Sequence, residues 1–230
     1  MSEPRTERGF TAERATRIVL RPLGNPLPLG FLALAGATLL ISALQLGWLQ
    51  PPEGGQVALI LIAFVFPLQL LASILGYLSR DVVAGTAMGL LAGTWLSVAL
   101  IKLTGQPGAT SDPLGIFLLL AAAGMAIPAS AATTAKAVPA AVLATTAVRF
   151  ATTGLYEITA SATWQDIAGV IGLILCAVAI YAAAAMAIED INHQTVLPLG
   201  RRGAGAASIS GNLEGQLERI EREAGVREQL

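Results

Sequence analysis

Six long apolar segments, separated by short polar breaks, restrict the fold of this chain more than any other feature. A helix needs about 20 mostly apolar residues to cross the hydrocarbon core of a bilayer. Six segments meet that requirement, at about 27–49, 56–79, 82–103, 113–133, 137–159 and 166–188. The sequence therefore predicts an all-α integral membrane protein with six transmembrane helices.

The composition also favours a membrane protein. Charged residues are 13% of the chain and the mean hydropathy is +0.68, whereas soluble domains contain about 25% charged residues. The net charge of −1 offers no basic field for nucleic acid. Because the charges are concentrated at the two ends, we predict an N-terminal arm (1–24), a transmembrane domain (25–200) and a C-terminal tail (201–230).

The arm and the tail have different sequence patterns. Residues 11–21 place arginines opposite apolar side chains at helical spacing, which is typical of an interfacial helix on anionic headgroups. Residues 201–211 are rich in Gly, Ala and Ser and predict a flexible linker. The charged segment after it is interpreted as a solvated, partly helical tail, with an oligomer-clamping helix as the alternative.

The basic residues indicate the orientation. Twelve of the fourteen Lys and Arg residues fall on one side of the predicted spans: Arg5, Arg8, Arg14, Arg17, Arg21, Arg80, Lys136, Arg201, Arg202, Arg219, Arg222 and Arg227. Short loops rich in Lys and Arg stay in the cytoplasm. We therefore expect both termini in the cytoplasm and the spans in an inner or plasma membrane.

The first and fourth spans begin alike. Pro28-Leu29-Gly30 follows Asn25-Pro26, and Pro113-Leu114-Gly115 follows Ser111-Asp112. An offset of three spans makes the two halves opposite in direction, and 3+3 inverted repeats are a transporter architecture. Chance similarity between apolar runs is the alternative explanation.

The sequence contains no catalytic or metal-binding motif. It lacks GxSxG, HExxH, a P-loop and paired acidic or histidine residues within the spans. Cys176 and His193 are single residues without a ligand partner at metal-site spacing. The sequence therefore predicts neither an enzyme nor a cofactor or metal site.

Small residues in the third span predict close helix packing. Gly85, Gly89 and Gly93 form a double GxxxG stripe. Packing alone is one interpretation, and a stripe that also shapes a narrow pore is the other. Thr86 and Thr94 on the same span would offer hydroxyl groups to a substrate.

The first span begins with the sequence NPLPLG (residues 25–30), which we call the NPLPLG motif. The free backbone N–H groups and positive dipole at a helix start form a weak anion site. Asn25, Pro26, Pro28 and Gly30 are therefore candidate substrate-binding residues for a carboxylate. A simple cap and turn is the alternative.

Arg149 is the one charge deep within a predicted span. Such residues are functional candidates because inserting them costs on the order of 3 kcal/mol. Glu157, two turns further on, is one candidate partner, and a backbone carbonyl of another helix is the other. Both a structural ion pair and a substrate-attracting charge fit this pattern.

These residues resemble the acetate uptake transporter family, also called succinate–acetate permeases. The NPLPLG motif matches the family's NPxPLG signature, residues 169–181 look like its sixth helix, and Thr195-Val196-Leu197-Pro198-Leu199-Gly200 looks like its closing TVLPxG motif. The resemblance covers about residues 24–200. It implies a six-helix protomer that assembles as a homo-oligomer, by family tendency a hexamer, with one path per protomer.

The resemblance also implies transport of small monocarboxylates, by a channel or with protons. The family narrows its path with aromatic and leucine side chains, and the corresponding positions here are Leu34, Leu91 and either Leu143 or Ala144. An aliphatic constriction of this kind can gate by dewetting. Two alternatives stay open: transport of another small solute such as ammonium, and a non-transporting scaffold that recruits a cytoplasmic partner.

Overall fold

A computed structural model describes residues 23–192 and 194–202. Within these ranges the protein is built from helices, and six of them are long and apolar enough to span a membrane. They are α1 (Leu27–Gln45), α2 (Pro51–Leu78), α3 (Val82–Thr104), α4 (Asp112–Ala132), α5 (Ala137–Thr159) and α6 (Ala162–Asn192). The prediction of an all-α membrane protein with six spans is confirmed. The predicted interfacial helix, the tail after residue 202 and His193 lie outside the described residues.

The helix ends differ from the predicted ones at two tight turns. The first span was predicted to reach residue 49, but α1 ends at Gln45 and the chain turns at Gly47, whose φ is +73°. The sixth was predicted to start at residue 166, but α6 starts at Ala162. Ala160 ends α5 in the left-handed region with φ +51°, so the chain reverses within two residues.

Helix α2 changes its winding midway. A 3₁₀ turn (Pro51–Glu53) and an α-helical segment (Gly54–Ile60) lead into a π-helical turn (Leu61–Val65), and α-helix resumes at Phe66–Leu78. The π-turn lies directly before Pro67, whose ring lacks an N–H and would collide with the carbonyl four residues earlier in a regular helix. The wider turn accommodates the proline.

The helices pack mainly as pairs. The most extensive contacts join α4 to α5, α1 to α6, and α2 to α3, and α5 also packs on α6. One buried apolar cluster runs through the helix bundle and includes Leu34, Leu91, Leu118, Leu143 and Leu175. The inverted repeat stays a prediction.

Side chains cap the starts of α3 and α4, and another part of the chain caps the start of α5. Asp81 and Ser111 accept hydrogen bonds from backbone N–H groups in the first turns of α3 and α4. Helix α5 has no side-chain cap; the N–H groups of Ala137 and Val138 instead donate to Gly200 O (3.0 Å) and Leu199 O (3.1 Å). The closing TVLPLG motif therefore supplies carbonyls that satisfy the free amides of α5.

Candidate functional site

The NPLPLG motif combines a helix cap with close packing. Asn25 Oδ1 accepts a hydrogen bond from Leu27 N at 3.1 Å, which fixes the start of α1. A Cβ atom on Gly30 would overlap Met88 Sδ and lie 3.3 Å from Ala72 Cβ. Gly30 O also accepts a 3.4 Å hydrogen bond from Gln69 Nε2. In this structure Gly30 allows α1 to approach α2 and α3, and Asn25 shapes the beginning of α1.

The predicted constriction residues lie in the protein interior. Leu34 and Leu91 are fully buried, and Leu143 is 3% exposed. Ala144, the other candidate on the fifth span, faces outwards. Of these two residues, Leu143 is therefore the one that shares the buried cluster with Leu34 and Leu91.

The two threonines of α3 lie in different surroundings, and their role in substrate binding stays a prediction. Thr86 is on the exposed face of α3, where its hydroxyl lies 2.9 Å from Tyr77 Oη. Thr94 is buried, but its hydroxyl donates to Leu90 O in its own helix at 2.8 Å. The structure places Thr86 outside the protomer interior, because only the opposite face of α3 packs inwards.

Two of the three stripe glycines lie in the contact between α2 and α3. A Cβ atom on Gly85 would approach the Tyr77 ring to 2.8 Å, and one on Gly89 would lie 2.8 Å from Ser73 Oγ. Gly93 is exposed and has no heavy atom within 4 Å of such a Cβ. Close approach of the helices therefore accounts for Gly85 and Gly89, but not for Gly93.

A small interior cavity of about 20 Å³ lies between α1, α3, α4 and α5. This is the space of about one water molecule. Its lining includes the buried ionisable groups Arg149 and Glu157 together with Lys102. The remaining lining residues are Ile41, Gln45, Trp95, Val98, Leu114, Leu118, Phe150 and Thr153.

Arg149 is held by hydroxyl groups. Its side chain is among the largest fully buried ones, and the residue is 1% exposed. Nη1 donates to Thr153 Oγ1 at 3.0 Å, and Nη2 makes a long 3.5 Å contact with Ser42 Oγ. Gly172 on α6 makes room for it, since a Cβ atom there would overlap Ser42 Oγ and lie 2.7 Å from Arg149 Nε. Neither partner carries a negative charge.

Three residues of the cavity have a buried polar atom without a hydrogen-bond partner among the described residues. These atoms are Arg149 Nε, Trp95 Nε1 and Gln45 Oε1. The indole of Trp95 packs edge-on against Phe150, with the ring centres 5.6 Å apart. Buried polar groups normally have a partner, so unsatisfied atoms on three of the lining residues mark this cavity as a candidate binding site.

Glu157 lies in the same cavity but interacts with other groups. Its carboxylate accepts a 3.0 Å hydrogen bond from Ser111 N and lies 3.9 Å from Lys102 Nζ. The carboxylate is thus fixed between α3 and the start of α4. The ion pair suggested between Arg149 and Glu157 is replaced by one between Lys102 and Glu157, because Lys102 on α3 is the nearer cation.

At the opposite end of the helix bundle, a charged cluster forms between Glu189 of α6, Thr195 of the TVLPLG motif and Arg201, which follows the motif. Arg201 makes two hydrogen bonds to the Glu189 carboxylate, and Thr195 Oγ1 donates to the same group at 3.1 Å. Tyr181 Oη donates to Pro198 O at 3.0 Å. This cluster holds the end of the motif against α6 and α5.

The sequence did not lead us to predict this cavity, although the spacing of its lining residues indicates a shared helix face. Arg149, Thr153 and Glu157 are spaced four residues apart, which puts them on one face of α5. On α3, Trp95, Val98 and Lys102 are spaced three and four residues apart, which also puts them on one helix face. Within the described residues, no group of three His, Cys, Asp or Glu side chains could hold a metal ion.

The fold and this interior site define a multi-pass membrane protein with a small cavity between its helices that is lined in part by charged side chains. The chain belongs to the GPR1/FUN34/yaaH family, whose sequence model matches residues 8–200. This confirms the resemblance to acetate uptake transporters that the motifs indicated. Among solved structures, the chain is similar to that of the bacterial acetate channel SatP, with a TM-score of 0.69 and 28% identity over 77% of this chain and 99% of that one. No curated protein matches the sequence significantly.

Proposed function

We propose that the protein transports a small monocarboxylate such as acetate through a path inside each protomer. The observation that carries this proposal is the similarity to the acetate channel SatP over nearly its whole length, together with membership of the family. The interior geometry supports it, because the described residues combine the buried leucines Leu34, Leu91 and Leu143 with a cavity whose lining includes Arg149, Lys102 and Glu157.

The order of residues along three parallel helices supports such a path. On α3, Leu91 is followed one turn later by the cavity residue Trp95. On α1, Leu34 is followed by Ile41 and Gln45, and on α5 Leu143 is followed by Arg149. The leucines therefore lie on one side of the cavity, towards the helix starts, where a narrow apolar segment could control wetting. The NPLPLG motif begins α1 on that same side.

The charges at the helix ends support an orientation. Arg80 precedes α3, and Lys136, before α5, forms a backbone bridge with Arg201. These basic residues lie at one end of the bundle, whereas Lys102 and Glu157 lie towards the other. By the positive-inside rule, the basic end and both termini face the cytoplasm. The cavity then lies in the outer half of an inner or plasma membrane protein.

The transport experiment is labelled-acetate uptake by purified protein in liposomes, with and without an inward proton gradient. Uptake driven by the gradient would support proton coupling, and uptake independent of it would support a channel. We expect a homo-oligomer, by resemblance a hexamer, and size-exclusion chromatography coupled to light scattering measures it. Absence of acetate uptake by the intact oligomer would refute the proposal.

The two alternative functions predict other results. Ammonium transport is disfavoured by the cavity, where Arg149 and Lys102 outnumber the single carboxylate of Glu157; ammonium flux without acetate flux would favour it. A scaffold would lose a cytoplasmic partner when residues 203–230 are deleted. The transporter should keep its acetate flux after that deletion.

A further inference from the structure

The cavity around Arg149 has an excess of positive charge that matches one monovalent anion. Of its lining residues, Arg149 and Lys102 are cationic and Glu157 is anionic. Lys102 and Glu157 neutralise each other, and Ser111 N keeps the Glu157 carboxylate at the outer end of the cavity. One positive charge therefore remains, on the guanidinium of Arg149.

The surroundings of Arg149 do not compensate this charge. Its two hydrogen-bond acceptors are the neutral hydroxyls of Thr153 and Ser42, and Nε has no partner among the described residues. A buried charge without an opposite partner is strongly unfavourable. A bound anion in the cavity would supply the missing negative charge to the guanidinium, whose Nη1 lies beside the lining residue Thr153, whereas Nε lies next to Gly172 of α6.

A second donor lines the same cavity. Trp95 Nε1 is buried without a partner among the described residues, and its ring is fixed against Phe150. An indole N–H only donates, so its natural partner is an acceptor such as a carboxylate oxygen. The side chain of Gln45 can flip its amide and present an NH₂ group in place of Oε1.

We propose that Arg149 and Trp95 bind the carboxylate of the transported anion in this cavity. The proposal rests on the proposed function for the identity of the anion, but not for the existence of an anion site. The cavity of about 20 Å³ holds about one water molecule, so a small carboxylate fits only when a lining side chain moves. Acetate would enter by displacing the Lys102 side chain, which is 24% exposed and forms the outer wall.

Tryptophan fluorescence tests binding separately from transport. The chain has three tryptophans, and replacing Trp48 and Trp164 with Phe leaves Trp95 as the single reporter. This protein is titrated in detergent with sodium acetate, and with the uncharged analogue acetamide, at an ionic strength held constant with sodium gluconate. We expect a saturable change in Trp95 emission with acetate and none with acetamide.

The variant Arg149→Gln should raise the half-saturating acetate concentration by about tenfold or more, because a hydrogen bond to a charged group is lost together with the charge. The matched control, Arg202→Gln, removes an arginine outside this cavity and should respond like the parent. A parent protein without a saturable acetate response, or an Arg149→Gln protein that responds like the parent, would overturn the proposal.

A second variant keeps the test decisive if Arg149→Gln does not fold. Trp95→Phe removes one unpartnered donor and keeps an aromatic ring, and it should raise the half-saturating concentration for acetate flux by about tenfold. An unchanged concentration dependence would overturn the role of this cavity. Acetate flux without a Trp95 response refutes the anion site alone, and a Trp95 response without flux refutes the transport function alone.

Discussion

Arg201, which is partly buried, and Arg149, which is fully buried, differ in how their charges are compensated. At the cytoplasmic end proposed above, Arg201 forms an ion pair with Glu189, which also accepts a hydrogen bond from Thr195. In the interior, Arg149 contacts hydroxyl groups, and its Nε has no partner among the described residues. The first arrangement is typical of a structural contact. The second is typical of a binding site, where stability is lower so that a ligand can complete the interactions.

The largest expected effect on stability comes from breaking the ion pair between Arg201 and Glu189. Glu189→Gln should lower the free energy of unfolding by on the order of 3 kcal/mol, because it leaves a largely buried arginine without its counter-charge. Thermal unfolding in detergent measures it. The neighbouring, exposed Asp190 provides the control, and Asp190→Asn should change stability by less than about 0.5 kcal/mol. Equal stability of the two variants would contradict a structural role for the Arg201–Glu189 pair.

The next effect concerns the space beside Arg149. Gly172→Ala should destabilise by about 2 kcal/mol, because the added methyl group collides with Ser42 Oγ and the guanidinium. It should also weaken acetate flux, since it displaces Arg149 without removing its charge. Gly93→Ala is the control, because Gly93 has open space around it. The tight fit around Arg149 would be refuted by a Gly172→Ala protein as stable and active as the parent.

Replacing Arg149 should change the free energy of unfolding in the opposite direction from replacing Glu189. Arg149→Met should raise the free energy of unfolding by about 1 kcal/mol, because an apolar side chain of similar length removes an uncompensated buried charge. The same variant should lose most of its acetate flux. Thermal unfolding and liposome uptake on one preparation measure both quantities. Lower stability would instead indicate that Arg149 holds the helices together.

The smallest effect concerns the cap of α1. Asn25→Ala removes the hydrogen bond to Leu27 N and should cost about 1 kcal/mol. It should reduce flux while the oligomer stays intact, because the start of α1 belongs to the proposed mouth. Ser111→Ala removes a comparable cap on α4 and should cost similar stability with less effect on flux. Normal flux in an assembled Asn25→Ala protein would refute that role.

The sequence was sufficient for the fold but only partly for the site. The length of an apolar segment identifies a membrane-spanning helix because the thickness of the bilayer sets the length that is needed. All six spans were predicted in this way. Whether Arg149 faces Glu157 or α6 depends on how the helices rotate against each other, which apolar composition does not encode. The π-turn before Pro67 and the room beside Gly172 arise from packing of this kind. Both features depend on how the helices pack in three dimensions.

The carbonyls that complete α5 come from the last described part of the chain. Leu199 and Gly200 are synthesised after the whole of α6, yet their oxygens accept from the first amides of α5. The start of α5 can therefore gain these two acceptors only after α6 has been synthesised. A chain that ends before residue 199 would keep all six spans but lack both hydrogen bonds at the start of α5.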